Sequence, residues 1–267
     1  MSLKQYKLEK NITPFYQEIG KEVEVFTHAF NNKLPLLLKG PTGSGKTRFV
    51  EYMAYTLGKK LYTISCHEET SAVDLLGRYL VKGSETVWQD GLLTKAAREG
   101  AIIYLDEIAE ARADTLIAIH ALTDHRRTLF LERLNQEIKA PDDFMLVASY
   151  NPGYQRGLKE LKPSTRQRFL ALTLNYAPAK LEQEIIITES AVEVAIATKL
   201  IILAQKIRNL TELGLAESVS SRLLIDAAKL IHSGLAIRLA CETAIIEPLT
   251  DDQDTKKVLK ELVAAIF

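Results

Sequence analysis

One glycine-rich segment of eight residues constrains this chain more than any other feature of its sequence. The octet reads Gly40-Pro41-Thr42-Gly43-Ser44-Gly45-Lys46-Thr47 and matches the G-x-x-x-x-G-K-[ST] phosphate-loop pattern in full. Its glycines let successive backbone N–H groups turn toward phosphate oxygens without a clash from a Cβ atom. An apolar run over residues 34–38 precedes it and a helical pattern over residues 48–57 follows it. This strand–loop–helix context is the one that the pattern requires.

The residues at the end of the octet have the chemistry for a nucleotide and its metal ion. The Lys46 side chain can reach the β- and γ-phosphates, and the Thr47 hydroxyl suits Mg²⁺. The helix that follows, which starts near Arg48, adds the positive end of its dipole. We expect the whole octet and Arg48 to bind ATP.

Further apolar runs alternate with helical patterns along the first two thirds of the chain. Residues 61–65, 101–105 and 144–149 are predicted strands, and such alternation predicts an α/β fold with a mostly parallel sheet covered on both faces. From residue 181 onward Ala, Leu, Ile, Glu and Lys dominate, which predicts a small all-α domain. We expect an N-terminal arm over residues 1–20, an α/β domain over 21–176 and the helical domain over 177–267.

Two carboxylates follow the apolar run 101–105. Ligands bind at the carboxyl ends of strands in open α/β sheets, so Asp106 is placed to hold the Mg²⁺ shell and Glu107 to orient or activate the attacking water. The adjacent Glu favours a hydrolase over a small-molecule kinase. An Asn-Lys-x-Asp guanine signature, which a GTPase would have, is absent from the sequence.

An amide and three arginines come next along the chain. Asn151 follows the apolar strand 144–149, and its amide is placed to sense the γ-phosphate, with an ordinary Asn-Pro turn as the alternative. Arg166 and Arg168 precede another apolar segment, and Ser220-Ser221-Arg222 opens a predicted helix with a serine at the capping position. An arginine near a transferring phosphoryl group stabilises the developing charge. For each arginine a surface cation or salt-bridge partner is the alternative.

The charge balance limits the expected partners. Lys plus Arg and Asp plus Glu each total 34, whereas general binders of nucleic acid or anionic membranes carry a basic excess. Residues 125–127 with Arg133 form the best local basic cluster, which we interpret as a solvated hairpin face balanced by Glu132 and Glu137. We therefore expect neither nucleic-acid nor membrane partners.

Cysteine usage and the apolar runs indicate the compartment. Cys66 and Cys241 are too few for a disulfide framework and indicate a reducing environment. The apolar runs are far shorter than the ~20 residues that span a bilayer, and residues 1–6 lack a signal-peptide core. We expect a cytoplasmic protein.

The order of these motifs resembles an AAA+ ATPase over nearly the whole chain. That resemblance implies a P-loop NTPase αβα sandwich with a parallel sheet, followed by a small all-α lid domain. Residues 71–78, 88–93 and 106–111 resemble the MoxR branch more narrowly, including its helix-2 insert at about 77–92 and its hairpin before sensor 1 at about 126–141. Within that branch the chain looks most like the CbbQ/NorQ/NirQ/GvpN group, and within the group most like the CbbQ rubisco activases.

The resemblance implies roles for the nucleotide-proximal residues. Lys46 would be the Walker A lysine and Thr47 its neighbouring Mg²⁺ ligand. Asp106 and Glu107 would be the Walker B pair, and Asn151 would be sensor 1.

The resemblance also implies roles for the arginines. Arg222 would be sensor 2, and Arg168 would be the finger that acts on the ATP site of a neighbouring subunit, with Arg166 as a rival or accessory finger. Ser149 stands where many MoxR proteins have a Thr-x-Asn-Pro form, but the amide is retained.

The implied assembly is a homo-hexameric ring with ATP and Mg²⁺ bound between subunits. CbbQ members work with a CbbO-type adaptor that carries a von Willebrand factor A domain, and together they remodel rubisco and release inhibitory sugar phosphates. Other MoxR clients, namely nitric oxide reductase in maturation and gas vesicles in assembly, are the alternative. A nucleotide-gated scaffold without turnover and a nucleic-acid remodeller are further alternatives.

Overall fold

The computed structural model describes residues 14–152, 161–210, 215 and 218–267 of the chain, so residues 1–13 of the expected arm lie outside the described residues. The chain divides into two compact units. Described residues 14–39, 46–152 and 161–173 belong to the first unit, and those at 40–45 and from 174 onward belong to the second. Each unit has a hydrophobic core of its own.

A five-stranded sheet lies at the centre of the first unit. The strands of this unit are β1 (Leu36–Lys39), β2 (Leu61–Ser65), β3 (Gly77–Lys82), β4 (Glu85–Asp90), β5 (Ile102–Asp106), β6 (Thr128–Leu131), β7 (Gln136–Lys139), β8 (Met145–Tyr150) and β9 (Leu170–Thr173). The sheet has the order β2-β5-β8-β1-β9, and every neighbouring pair in it is parallel. This confirms the predicted α/β fold with a parallel sheet.

Helices cover the sheet, because its strands are apolar on both faces. They are α1 (Glu22–Asn31), α2 (Lys46–Thr56), α3 (Ala72–Leu76), α4 (Leu92–Glu99), α5 (Ala113–Ile119) and α6 (Pro163–Arg166). Side chains alternate between the faces of a strand. Ile103 and Leu105 of β5 therefore join the core cluster that contains α4, whereas Tyr104 and Asp106 face the opposite side of the sheet.

Two antiparallel hairpins interrupt the α/β alternation of the first unit. β3 pairs with β4 in the segment where the helix-2 insert is expected, and β6 pairs with β7 in the segment expected to hold a hairpin. Trp88 packs edge-on against Tyr79 across the first hairpin, with ring centroids 5.2 Å apart, and donates a hydrogen bond to Asp90.

The second unit is helical around a separate core. Its helices are α7 (Ala179–Ser190), α8 (Val194–Asn209), α9 (Ser221–His232), α10 (Ile237–Cys241), α11 (Glu247–Leu249) and α12 (Gln253–Ile266), with a π-helical turn at Glu242–Ile246. Buried apolar side chains such as Leu200, Leu224 and Leu259 fill the space between them. None of the helices in the described part of the chain has the length and apolarity needed to cross a bilayer.

Candidate active site

The carboxyl edge of the sheet brings the predicted acidic and amide residues together. β8 lies between β1 and β5, so the ends of these three parallel strands are adjacent. Asp106 is the last residue of β5, and Asn151 directly follows β8. Thr47, in the first turn of α2, places its Oγ1 3.4 Å from Oδ2 of Asp106. Residues separated by up to about one hundred positions in sequence thus share one edge.

The two oxygens of the Asp106 carboxylate have different partners. Its Oδ1 accepts hydrogen bonds from the hydroxyls of Tyr104, at 2.7 Å, and Ser149, at 2.6 Å. Burial raises the pKa of the Tyr104 phenol, so this side chain remains a donor near neutral pH. The other oxygen, Oδ2, is the one that approaches Thr47. Two hard oxygen atoms therefore stand together, which is the donor chemistry that Mg²⁺ prefers.

Glu107 adopts a backbone conformation that is unusual for a residue with a side chain. Its φ of 53° and ψ of 49° are left-handed, which costs roughly 1–2 kcal/mol for a residue other than glycine. Its N–H donates to Ser149 Oγ at 3.1 Å, and its carbonyl oxygen accepts from the N–H of Glu110 at 3.0 Å. These bonds turn the chain sharply away from the direction of β5 directly after Asp106.

Two glycines of the phosphate loop occupy positions where a side chain would be strained or would collide with the backbone. Gly43 has a φ of +70°, which side chains rarely allow. A Cβ on Gly40 would lie 2.0 Å from the carbonyl oxygen of Leu174, so any side chain there would collide with the backbone. Ser44 is buried, its N–H donates to Pro41, and its Oγ has no hydrogen-bond partner among the described residues.

The start of α9 packs against the phosphate loop within the second unit. A Cβ on Gly43 would lie 2.6 Å from the Cβ of Ser220 and 3.5 Å from the Cβ of Arg222. Ser220 caps the helix, because its Oγ accepts from the N–H of Leu223 at 3.4 Å. Arg222 is exposed. Arg222 thus lies beside Gly43 of the phosphate loop.

A buried polar network in the same unit was not singled out from the sequence. The Tyr176 hydroxyl donates to the carbonyl oxygen of Thr42, and the Arg208 guanidinium lies 4.2 Å from the centroid of the Tyr176 ring. Arg208 donates two hydrogen bonds of 2.7 Å to Glu182, which is only 1% exposed. The Ser221 hydroxyl also donates to Glu182, at 2.5 Å. The network therefore connects the phosphate loop to the first turn of α9.

Arg166 and Arg168 lie at the opposite edge of the sheet. Both precede the amino end of β9, which runs parallel to β1, so about four residues of strand, or ~13 Å, separate that end from the carboxyl edge. The Arg168 side chain is 3.5 Å from Oδ2 of Asp124 and 3.4 Å from the carbonyl oxygen of His120. Arg166 is exposed. Within one chain these arginines do not join Asp106 and Asn151.

Comparisons with known proteins agree with this fold and these motifs. Residues 35–169 match the AAA domain (dynein-related subfamily), and residues 182–266 match the CbbQ/NirQ/NorQ C-terminal family. A Thermotoga maritima RuvB mutant aligns with a TM-score of 0.55 over 92% of this chain and 71% of its own. At 17% identity this likeness concerns the fold alone.

Full-length relatives are much more similar in sequence. Protein NorQ of Paracoccus denitrificans is 55% identical over 95% of this chain and 94% of its own, and the denitrification regulatory protein NirQ of Pseudomonas aeruginosa is 53% identical over 95% and 98%. Protein CbbQ of Hydrogenophilus thermoluteolus is 50% identical over 95% of each chain. The AAA+ phosphate-loop fold implies nucleotide binding. Family models match both the α/β part and the helical part of the chain, which therefore belongs to the CbbQ/NirQ/NorQ family of MoxR-type AAA+ ATPases.

Proposed function

We propose that this protein hydrolyses Mg²⁺-ATP at the carboxyl edge of its sheet, within a homo-hexameric ring, and couples turnover to the remodelling of a client enzyme. The observation that carries the hydrolytic part is the approach of Thr47 to Asp106, 3.4 Å between oxygens, with Glu107 next in the chain and Asn151 directly after the neighbouring strand. The ring, the client and the adaptor rest on the family resemblance.

The phosphate loop fits a triphosphate on structural grounds. Gly43 and Gly45 hold left-handed backbone at φ values of +70° and +87°, which turns their N–H groups as an anion-binding loop requires. The buried Ser44 Oγ, which has no partner among the described residues, would gain one from a phosphate oxygen. The Lys46 ammonium, on a residue only 6% exposed, and Arg48 would add positive charge.

The arrangement of the two Asp106 carboxylate oxygens fits a metal ion that binds together with the nucleotide. Mg²⁺ is commonly held by one or two carboxylates together with substrate phosphates, and here Thr47 Oγ1 and Asp106 Oδ2 would be its protein ligands. When bound, the ion neutralises charge on the phosphates. Tyr104 and Ser149 occupy the other carboxylate oxygen and so keep Oδ2 directed toward Thr47.

We assign the roles in hydrolysis from where each residue lies relative to the proposed ATP site. Glu107 would accept the proton of the attacking water, and the Asn151 amide would orient that water against the γ-phosphate. Arg222, next to the phosphate loop, would contact the phosphates from α9. Arg168 would act on the site of the adjacent subunit, with Arg166 as its accessory, since both lie at the far edge of their own sheet.

We propose two alternative clients, because the similar relatives include both NorQ- and NirQ-named and CbbQ-named proteins. Identity is 55% to NorQ, 53% to NirQ and 50% to CbbQ, a spread too narrow to favour one of them. Resemblance to CbbQ supports rubisco with its inhibitory sugar phosphates as client. Resemblance to NorQ supports nitric oxide reductase in maturation. In both forms the motor would work with an adaptor carrying a von Willebrand factor A domain.

Nucleic-acid and membrane partners are not part of the proposal, and the setting proposed is the cytoplasm. In the basic cluster, Arg126 forms a forked pair with Asp124, and Arg127 donates to the carbonyl oxygens of Lys33, Pro141 and Phe144. These contacts with their own chain support a cluster that does not bind nucleic acid, although the partners are Asp124 and backbone carbonyl oxygens and not Glu132 and Glu137, which were expected from the sequence to balance a solvated hairpin face. Both cysteines are buried and free, as expected in a reducing compartment.

A reconstitution with two parallel arms tests the proposed client. Sugar-phosphate-inhibited rubisco and immature nitric oxide reductase are each incubated with this protein, ATP and the adaptor, and recovered activity is measured. Recovery in one arm that requires ATP and is lost with Glu107→Gln would identify the client. Failure in both arms with ATP turnover intact would refute both proposed clients and leave the ATPase.

A further inference from the structure

We propose that Ser149 is a positioning residue for ATP hydrolysis, because its hydroxyl joins the side chain of Asp106 to the backbone of Glu107. The inference rests on the proposed function, in which Asp106 holds Mg²⁺ and Glu107 handles the attacking water. Ser149 itself would touch neither the nucleotide nor the water.

The hydroxyl of Ser149 uses both of its hydrogen-bonding capacities at this point. A serine hydroxyl has one hydrogen to donate and lone pairs to accept with. Ser149 donates to Asp106 Oδ1 at 2.6 Å and accepts from the Glu107 N–H at 3.1 Å. The residue is 0% exposed, so solvent cannot replace either bond. One buried atom thus links two consecutive residues of the proposed catalytic pair.

The hydrogen bond from the Glu107 N–H to Ser149 holds a residue whose backbone is in an unfavourable conformation. A left-handed conformation is unfavourable for glutamate, and it sets the direction in which the side chain leaves the chain. Loss of the Ser149 acceptor removes one of the contacts that hold this conformation. The Glu107 carboxylate would then sample other directions, while the Asp106 side chain would keep its second donor, Tyr104.

Ser149 also connects this pair to the strand that carries the proposed sensor. It is the penultimate residue of β8, and Asn151 follows that strand directly. Register places Ala148 of β8 opposite Leu105 of β5, one residue before Ser149 and Asp106 respectively. A shift of β8 therefore moves the Ser149 hydroxyl and Asn151 together relative to Asp106.

Tyr104 provides a matched control. Its hydroxyl donates to the same oxygen of Asp106, at 2.7 Å, whereas the Glu107 N–H donates to Ser149. Tyr104→Phe therefore removes one donor from Asp106 and leaves the Glu107 contact intact. Ser149→Ala removes a donor from Asp106 and the acceptor for Glu107 at the same time.

The experiment separates the two effects by two measurements on the full chain. Calorimetry of ADP binding with and without Mg²⁺ reports on Asp106, and kcat at saturating Mg²⁺ and ATP reports on Glu107. We expect both variants to lose a similar part of the Mg²⁺-dependent gain in ADP affinity. We expect only Ser149→Ala to lower kcat strongly, by about 10- to 100-fold with KM little changed. Ser149→Thr, which keeps a hydroxyl, should recover most of that loss.

Glu107→Gln separates failure of this inference from failure of the proposed function. If Glu107→Gln is inactive while Ser149→Ala retains its kcat, the positioning role of Ser149 is wrong and the ATPase proposal stands. If Glu107→Gln retains full turnover, the role proposed for Glu107 is wrong. Should Ser149→Ala not fold, as judged by thermal melting, Ser149→Cys preserves the volume with a weak hydrogen-bonding group. A wild-type kcat in that variant would likewise overturn the inference.

Discussion

The Tyr176 hydroxyl donates a hydrogen bond of 3.2 Å to the carbonyl oxygen of Thr42, although 134 residues separate the two in sequence. Thr42 belongs to the phosphate loop, and the Tyr176 ring lies under the guanidinium of Arg208, which is paired with the buried Glu182. The backbone of the loop is thus connected to an ion pair inside the helical unit. Stability of that unit and order of the phosphate loop should therefore change together.

Glu182→Gln should destabilise the helical unit strongly. The change keeps the side-chain volume but leaves the Arg208 cation, whose side chain is 17% exposed, without its carboxylate. Breaking one side of a buried pair costs about 3–5 kcal/mol, and we expect a loss of that size in the free energy of unfolding, measured with denaturant. Glu99→Gln is the control, since its pair with Lys60 is exposed and should be worth under ~1 kcal/mol. Equal losses in the two variants would contradict the prediction.

Lys46→Ala and Glu107→Gln should separate nucleotide binding from hydrolysis. Removing the Lys46 ammonium takes away a charge that we propose to contact the phosphates, so ADP and ATP affinity should fall below detection by calorimetry. Glu107→Gln keeps the loop and the Asp106 carboxylate, so affinity should persist while turnover falls by at least about a hundredfold. A comparable loss of binding in both variants would show that Glu107 serves the loop and not the water.

Arg168→Ala should leave nucleotide affinity intact and abolish turnover in the proposed ring. The arginine lies at the amino edge of its own sheet, so in the proposed ring the site that it serves would belong to another copy. Mixing Arg168→Ala chains with Glu107→Gln chains should then restore part of the ATPase rate, because some interfaces join an intact finger to an intact Glu107. Arg166→Ala is the comparison that identifies the finger. Absence of recovery at any mixing ratio would exclude a finger that acts between chains.

His120 should report on Arg168 through its pKa. Burial lowers the pKa of the His120 imidazole below its usual value near 6.5, and the nearby Arg168 charge lowers it further. Because the unfolded chain binds the proton more readily, the free energy of unfolding should fall as pH drops through the range below that value. In Arg168→Ala the NMR titration of His120 should move upward. An unchanged titration would mean that Arg168 does not face His120 in solution.

Gly43→Ala should impair the loop more than its backbone conformation alone explains. Gly43 and Gly58 have similar φ values, +70° and +63°, so alanine at either position should cost about 1 kcal/mol in stability. At Gly43 the added Cβ also meets Ser220 at 2.6 Å, whereas at Gly58 nothing lies within 4 Å. We expect weaker ATP binding by Gly43→Ala alone. If Gly58→Ala weakened binding as much, the packing of Ser220 on the loop would not be the cause.

Local patterns were sufficient to predict the sheet and the residues at its carboxyl edge. The strand predicted over residues 61–65 is Leu61–Ser65 in the structure, and the run at 101–105 corresponds to Ile102–Asp106. Apolar runs that end in polar residues, together with the phosphate loop, specify a parallel sheet whose strand ends meet. Tyr104 was also within reach, since the alternation of a strand puts it on the same face as Asp106.

Contacts between distant segments were not predictable in this way. Glu182 and Arg208 are 26 residues apart on different helices, and each reads in sequence as an ordinary surface charge of an amphipathic helix. Their burial depends on how α7, α8 and α9 pack, which periodicity does not specify. The location of Arg168 at the amino edge likewise follows from the parallel pairing of β9 with β1, not from its motif.

Because Arg168 and Asp106 lie at opposite edges of the sheet, each copy of the chain has two different ends, one with the proposed finger and one with the proposed ATP site. If the proposed finger acts between chains, n subunits in an open row contain n − 1 complete sites, and a single chain contains none. The subunit that closes the row into a ring completes two sites at once. Such heterologous contacts close when the rotation per subunit divides the circle. Turnover per chain would then rise steeply with protein concentration and level off when rings predominate, so assembly itself would regulate the enzyme.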